Sequence, residues 1–187
     1  MPPPSYPSGR QYLSRLLDSN GDGTGTKNII LDYRDPADGI GETDYFIQPP
    51  AGEIFLITRL LVHIRDGGSF DAEKYGNGVT LTTGIVITLK RGAAVEVDLT
   101  DGVPIKSNAQ WAQLCYDVAI STYGAGDEYL HARWSFFKGG VPGLYLHGDD
   151  EDKFVVTVND KLDTLDEHSF TVQGHNVSRN QHGELIR

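Results

Sequence analysis

Apolar and polar residues alternate with a period of two along most of this chain, the pattern of strands that rest one side on a core. The longest such stretch runs from Gln48 to Asp66, QPPAGEIFLITRLLVHIRD. Its Pro-Pro-Ala-Gly opening reads as a turn, and the β-branched and aromatic run behind it as a long central strand. Leu56, Leu60, Val62 and Ile64 share one parity, while Arg59, His63 and Arg65 fall on the other. One face of the strand is therefore apolar and the other mixed.

The same pattern recurs on both sides of that strand. Lys27 to Tyr33 and Thr43 to Gln48 precede it, with a loop over Arg34 to Glu42 between them. Val79 to Lys90 follows, with Val79, Leu81, Ile85, Ile87 and Leu89 in one parity. Gly84 at its middle predicts a bulge or a close backbone approach. Next come Ala94 to Leu99, and a segment from Ala109 to Tyr123 that reads as helix at its start and strand from about Leu114 onward. Glu128 to Lys138 sets Leu130, Ala132, Trp134 and Phe136 against Tyr129, His131, Arg133 and Ser135. Leu144 and Leu146 mark a brief strand, Lys153 to Asn159 another, and His168 to Gly174 the last. Arg10 to Leu17 differs, since Leu13, Leu16 and Leu17 fall on one side of a short helical turn.

About eight to ten strands with turns at short intervals predict an all-β protein, a β-sandwich with a jelly roll favoured and an immunoglobulin-like sandwich as the alternative. The ends depart from the pattern. Met1 to Gly9 carries Pro2, Pro3, Pro4 and Pro7, which favour an extended conformation with few backbone donors. The end of the chain is polar with little periodicity. The expected organisation is an extended N-terminal arm over residues 1–26, a β-sandwich domain over 27–175 and a C-terminal tail over 176–187.

Charge narrows the partners. Sixteen Lys and Arg stand against 26 Asp and Glu, for a net charge of −10 and a pI near 4.9. Such a surface repels a phosphate backbone and an anionic membrane, so neither nucleic acid nor membrane is expected as a partner. An acidic protein can still dock a basic face of another. No positively charged start precedes an apolar run, and no run approaches the roughly 20 apolar residues of a membrane helix, so cytosolic synthesis is expected. Cys115 is the single cysteine and sits among apolar neighbours, which reads as a packed thiol.

Candidate chemistry is sparse. Asp18, Asn20, Asp22 and Gly23 match the first half of a calcium loop, but the twelfth position, where a bidentate Glu belongs, is Ile29. A flexible Gly/Asp turn is the better reading. The acidic run Asp149 to Asp152 could hold a cation, although like charges on a turn ordinarily mean solvation. The histidines at 63, 131, 147, 168, 175 and 182 are scattered, with no H-x-H or HExxH pattern, and His63 has no second His or Cys at a ligand spacing nearby. Asp127 and Glu128 are adjacent and would point to opposite faces of a strand. The expectation is a protein without cofactor, metal or catalytic residues. Phe70 and Tyr75, in a polar Gly/Asp/Asn loop, either cover an end of the core or form a contact surface.

Four segments, FIQPPAGEIFLITRLLVHIRD, GSFDAEKYGNGVTLTTGI, DLTDGVPIKSNAQW and LHGDDEDKFVVTVNDKLDTLDEHSFTVQGH, together resemble a family of tailed-bacteriophage virion proteins. The similarity covers about Asp44 to His175. It implies a structural protein made in the host cytoplasm and built into the virion, most simply a jelly-roll decoration or cement protein that bridges major capsid proteins as a homo-oligomer, dimer or trimer. A head-to-tail adaptor or a tail- or fibre-associated protein is the alternative. A host-surface carbohydrate-binding module, using Phe70, Tyr75 and the acidic turn, is a third. Candidate partner-binding residues are Pro2, Pro3, Pro4 and Tyr6 in the arm, Arg59, His63 and Arg65 on the central strand, and Phe70 and Tyr75.

Overall fold

The longest alternating stretch forms the longest strand, β3 (Ile54–Gly67). The computed structural model describes residues 10–21, 43–115, 117–123, 126–137, 140, 142–162 and 164–177. The candidate strand Lys27 to Tyr33, the loop up to Glu42, Pro2, Pro3, Pro4, Tyr6 and the tail beyond Val177 lie outside these residues.

Two antiparallel sheets pack face to face as an all-β sandwich. In the larger sheet the order is β1 (Arg10–Leu16), β10 (Glu167–Val177), β3, β7 (Asp127–Ser135) and β6 (Asp117–Tyr123), while β8 (Leu144–His147) pairs with Ile54 to Ile57 at the start of β3, beside β7. In the smaller sheet it is β2 (Thr43–Ile47), β9 (Asp152–Val158), β4 (Ile85–Arg91) and β5 (Ala94–Asp98). A short helix, α1 (Asn108–Leu114), leads into β6, as the sequence predicts. Its N-cap Ser107 accepts from the Gln110 amide, satisfying one of the helix's unpaired donors.

The inner faces supply one core. Leu60, Val62 and Ile64 of β3, Phe170 and Val172 of β10 and Leu130 and Ala132 of β7 are buried against Ile85 and Ile87 of β4, Phe154, Val156 and Val158 of β9, and Tyr45 and Ile47 of β2. Burying such side chains contributes about 1.5–3 kcal/mol each, so the core rather than any polar contact dominates stability.

The parity of β3 reverses once along its length. β10 pairs Gln173 with Arg59 and Gly174 with Ile57, which leaves Thr58 as an extra, bulged residue. Beyond it Phe55 and Ile57, not Leu56, point into the core. Ile54 and Leu56 turn outward and form a small second cluster with Val177. The single parity expected from Leu56 to Ile64 is thereby corrected. Thr58 is held by its hydroxyl donating to the Gln173 carbonyl at 3.1 Å, and its own carbonyl accepts from the Phe136 amide at 2.8 Å. Either side of the bulge β3 has a different neighbour, β8 before it and β7 after it.

Arg10 to Leu17 is a strand and not a helical turn. A single turn satisfies few of its own backbone groups, whereas pairing with β10 over Arg10 to Leu16 satisfies alternate donors and acceptors and buries Leu13 and Leu17 in the core. Residues 10–17 therefore belong to the sandwich and not to an arm, and at the other end β10 carries the sandwich to Val177.

Val79 to Lys90 also divides. Val79 exchanges backbone hydrogen bonds with Tyr75 in a local turn, and the strand proper starts at Ile85. Gly84, at φ +94°, lies so near Pro104 to Lys106 that a Cβ would sit 2.9 Å from the Ile105 carbonyl oxygen, the close approach its sequence position suggests. The Asp160 carboxylate accepts the amides of Thr82, Thr83 and Gly84 and so fixes this entry to β4. Among the described residues no helix is long and apolar enough to cross a membrane.

Candidate functional site

Because side chains alternate along a strand, the residues that build the core from β3, β7 and β10 leave a second set pointing away from it. Register brings these together. Arg59, Leu61, His63 and Arg65 of β3 lie opposite Ser135, Arg133, His131 and Tyr129 of β7 on one side, and Gln173, Thr171, Ser169 and Glu167 of β10 on the other. A shallow depression at the centre of this outer face is lined by Leu61, His63, Ala119, His131, Arg133, Ser169 and Thr171. These outward positions hold three guanidinium groups, two imidazoles and one carboxylate, Glu167, and β6 sets Asp117 opposite Arg133, on a chain whose net charge is −10.

The imidazoles touch. His63 Nδ1 lies 3.2 Å from His131 Nδ1, with ring centroids 4.7 Å apart. His63 Nε2 is 3.7 Å from Glu167 Oε1, and Arg65 Nε is 3.9 Å from Glu167 Oε2. Tyr129 stacks on His131 at 6.3 Å, nearly parallel. Burial, then the neighbouring His131, pushes the His63 imidazole below its ordinary value; Glu167 acts in the opposite sense and Arg65 reinforces the shift. Past the Thr58 bulge the same outer surface becomes apolar and aromatic. Leu56 lies between Tyr145 and His175, Ile54 lies beside His147, and Tyr12, 67% exposed, lies opposite His175. Four histidines, His63, His131, His147 and His175, thus share one side of one sheet.

The candidates from sequence fare differently. Arg59, His63 and Arg65 do sit together on this face, as their shared parity requires. Phe70 is partly buried, packs on the core and has its amide held by Glu128 Oε2 at 2.6 Å. Tyr75 is completely buried and is not a contact residue. Its hydroxyl lies 2.5 Å from His168 Nε2 and accepts from Trp111 Nε1 at 3.1 Å, forming a polar knot inside the core. Complete burial holds His168 down to about 3 and raises the Tyr75 phenol well above its ordinary range. The aromatics assigned to carbohydrate contact are therefore turned inward.

The acidic motifs are spent on structure. Asp18 Oδ1 accepts the amides of Asn20 and Gly21, closing a local turn, while Asp22 lies outside the described residues. In the run 149–152, Asp149 accepts the Gly52 amide at 2.7 Å, and Asp152, itself buried, takes Arg91 Nε at 3.0 Å and the His147 amide at 3.0 Å. Among the described residues no group of three His, Cys, Asp or Glu side chains is gathered as a metal site. Cys115 is buried, and burial pushes its thiol up to about 12, which leaves negligible thiolate at neutral pH.

His131, Tyr129 and Arg133 complete the outer face without having been singled out. Their outward parity on β7 is legible; what the sequence does not state is that β7 pairs with β3 in the register that sets His131 against His63. Compared with known proteins, the chain matches no protein-family model, no curated protein and no solved structure.

Proposed function

We propose that the protein is a structural component of a tailed-phage virion, a capsid decoration or cement protein that bridges neighbouring major capsid proteins. The observation that carries the reading beyond the segment resemblance is the outer face of the larger sheet, where Arg59, Arg65, Arg133, His63 and His131 gather on an otherwise acidic chain. A cationic face with an aromatic end fits docking onto an acidic protein surface: the charges steer and orient, and the exposed Tyr12 and Tyr145 supply area that excludes water. Strand order supports a jelly roll. β1, β2, β3 and β4 alternate between the two sheets, β10 returns beside β1, and β9 returns beside β2. Homo-oligomerisation around a local symmetry axis belongs to the same reading.

Copy number and docking test it separately. A cement protein is present in particles on the scale of the coat subunit, so a quantitative gel showing only a single ring of copies favours the head-to-tail adaptor instead. Arg59→Glu combined with Arg65→Glu is expected to release the protein from particles in co-sedimentation. Undiminished retention of that variant, with its fold intact by circular dichroism, overturns the assignment of this face.

A further inference from the structure

We propose that His63 and His131 form an open site for a first-row divalent metal ion of the imidazole-preferring kind, Zn2+, Ni2+ or Cu2+. The two residues are directly opposite on adjacent strands, with Nδ1 atoms 3.2 Å apart. Two nitrogens bound to one tetrahedral ion at the usual zinc–nitrogen length are themselves about 3.3–3.4 Å apart. The pair is thus held near a chelating separation by the register of the sheet.

The surroundings favour the ligating form. Glu167 lies beside the other nitrogen of His63, where a carboxylate favours the proton on Nε2 and leaves the Nδ1 lone pair for a metal. Both rings border the depression on the outer face, so an ion has an entry path. No third side chain of the described residues completes the shell, so its remaining positions belong to water or to a carboxylate of an incoming partner. Arg65 and Arg133 lie nearby and oppose any cation. The imidazole donors, not that charge, favour Zn2+, Ni2+ or Cu2+ over the hard, oxygen-seeking Mg2+ and Ca2+.

The proposal stands apart from the virion reading, and it is tested on the purified full chain with the metal ion alone. Calorimetric titration with Zn2+ and with Ni2+ at neutral pH should show saturable binding to one site, lost when the pH is lowered below the histidine range. His63→Ala and His131→Ala should each weaken it by at least about tenfold, and Glu167→Gln by a smaller factor. His147→Ala and His175→Ala, on the same sheet face with no imidazole opposite, should bind like the unaltered chain. Zn2+ should also raise the melting temperature of the unaltered chain and not that of His131→Ala, since an ion bound only to the folded state stabilises it. Absence of saturable binding, undiminished affinity in a folded His131→Ala, or loss of binding in His147→Ala or His175→Ala overturns the site.

Discussion

His168 shows at the scale of one residue how burial governs chemistry here. Its ring is enclosed and neutral, with Nε2 against the Tyr75 hydroxyl. In the unfolded chain the imidazole titrates near its ordinary 6.5, and in the fold near 3. Between those values the unfolded chain binds the extra proton, so stability rises with pH through this window and is lost as pH falls through it. Thermal melts should therefore shift downward from neutral pH toward about pH 4, and His168→Phe should flatten that dependence. Tyr75→Phe leaves the Trp111 indole N–H and the His168 ring short of a partner, and is expected to cost about 1–3 kcal/mol in denaturant unfolding. The sequence misled at Tyr75 for an identifiable reason. Its neighbours Lys74, Gly76 and Asn77 are polar, but they lie in a turn pinned by Asn108, whose side chain bonds Gly76 at both its amide and its carbonyl. A polar loop pinned in this way can still drive one aromatic inward.

At the scale of elements, the Thr58 bulge decides what the long strand does. It lets β3 serve the core with Leu60, Val62 and Ile64 at one end and with Phe55 and Ile57 at the other. Deleting Thr58 leaves Ile57 opposite Gly174 and Arg59 opposite Gln173 in a regular ladder, so both sets keep facing the core, and what is lost is the pair of hydrogen bonds that Thr58 makes. The deletion is expected to keep a cooperative transition and to lower stability by about 1–3 kcal/mol in denaturant unfolding, because the Phe136 amide loses its acceptor. Gly174, next to the bulge, has no room for a Cβ against the Leu56 carbonyl oxygen, so Gly174→Ala should destabilise by about 1–3 kcal/mol in denaturant unfolding. The entry to β4 rests on Asp160 in a comparable way. Asp160→Ala strands the amides of Thr82, Thr83 and Gly84, and because that loop is largely exposed, water replaces part of the loss. A cost of about 1 kcal/mol is expected from the same measurement.

At the scale of the whole molecule, the distribution of charge matters more than its sum. A net charge of −10 describes the chain, yet the outer face of the larger sheet carries Arg59, Arg65 and Arg133 with two histidines. Attachment through that face should weaken as ionic strength rises, because exposed charges are screened beyond about 10 Å at 0.1 M salt. Co-sedimentation with particles over a salt series checks this, and an apolar-dominated contact would instead strengthen or stay constant.

The sequence by itself determined the strands and their faces. A period of two is a local property, set by backbone geometry, and it marked β3, β7, β9 and β10 together with the stripe of Arg59, His63 and Arg65. It also gave the helix-to-strand passage ahead of β6 and the close approach at Gly84. Tertiary structure alone decided which strands are neighbours and in what register. That choice depends on contacts between residues far apart in the chain, which no local pattern encodes: Arg10 to Leu17 became a strand because the edge of β10 was there to pair with, and His131 came to face His63 because β7 lies antiparallel to β3. The outer face was half legible for the same reason, its β3 residues visible as a stripe and its β7 residues supplied only when the sheet assembled.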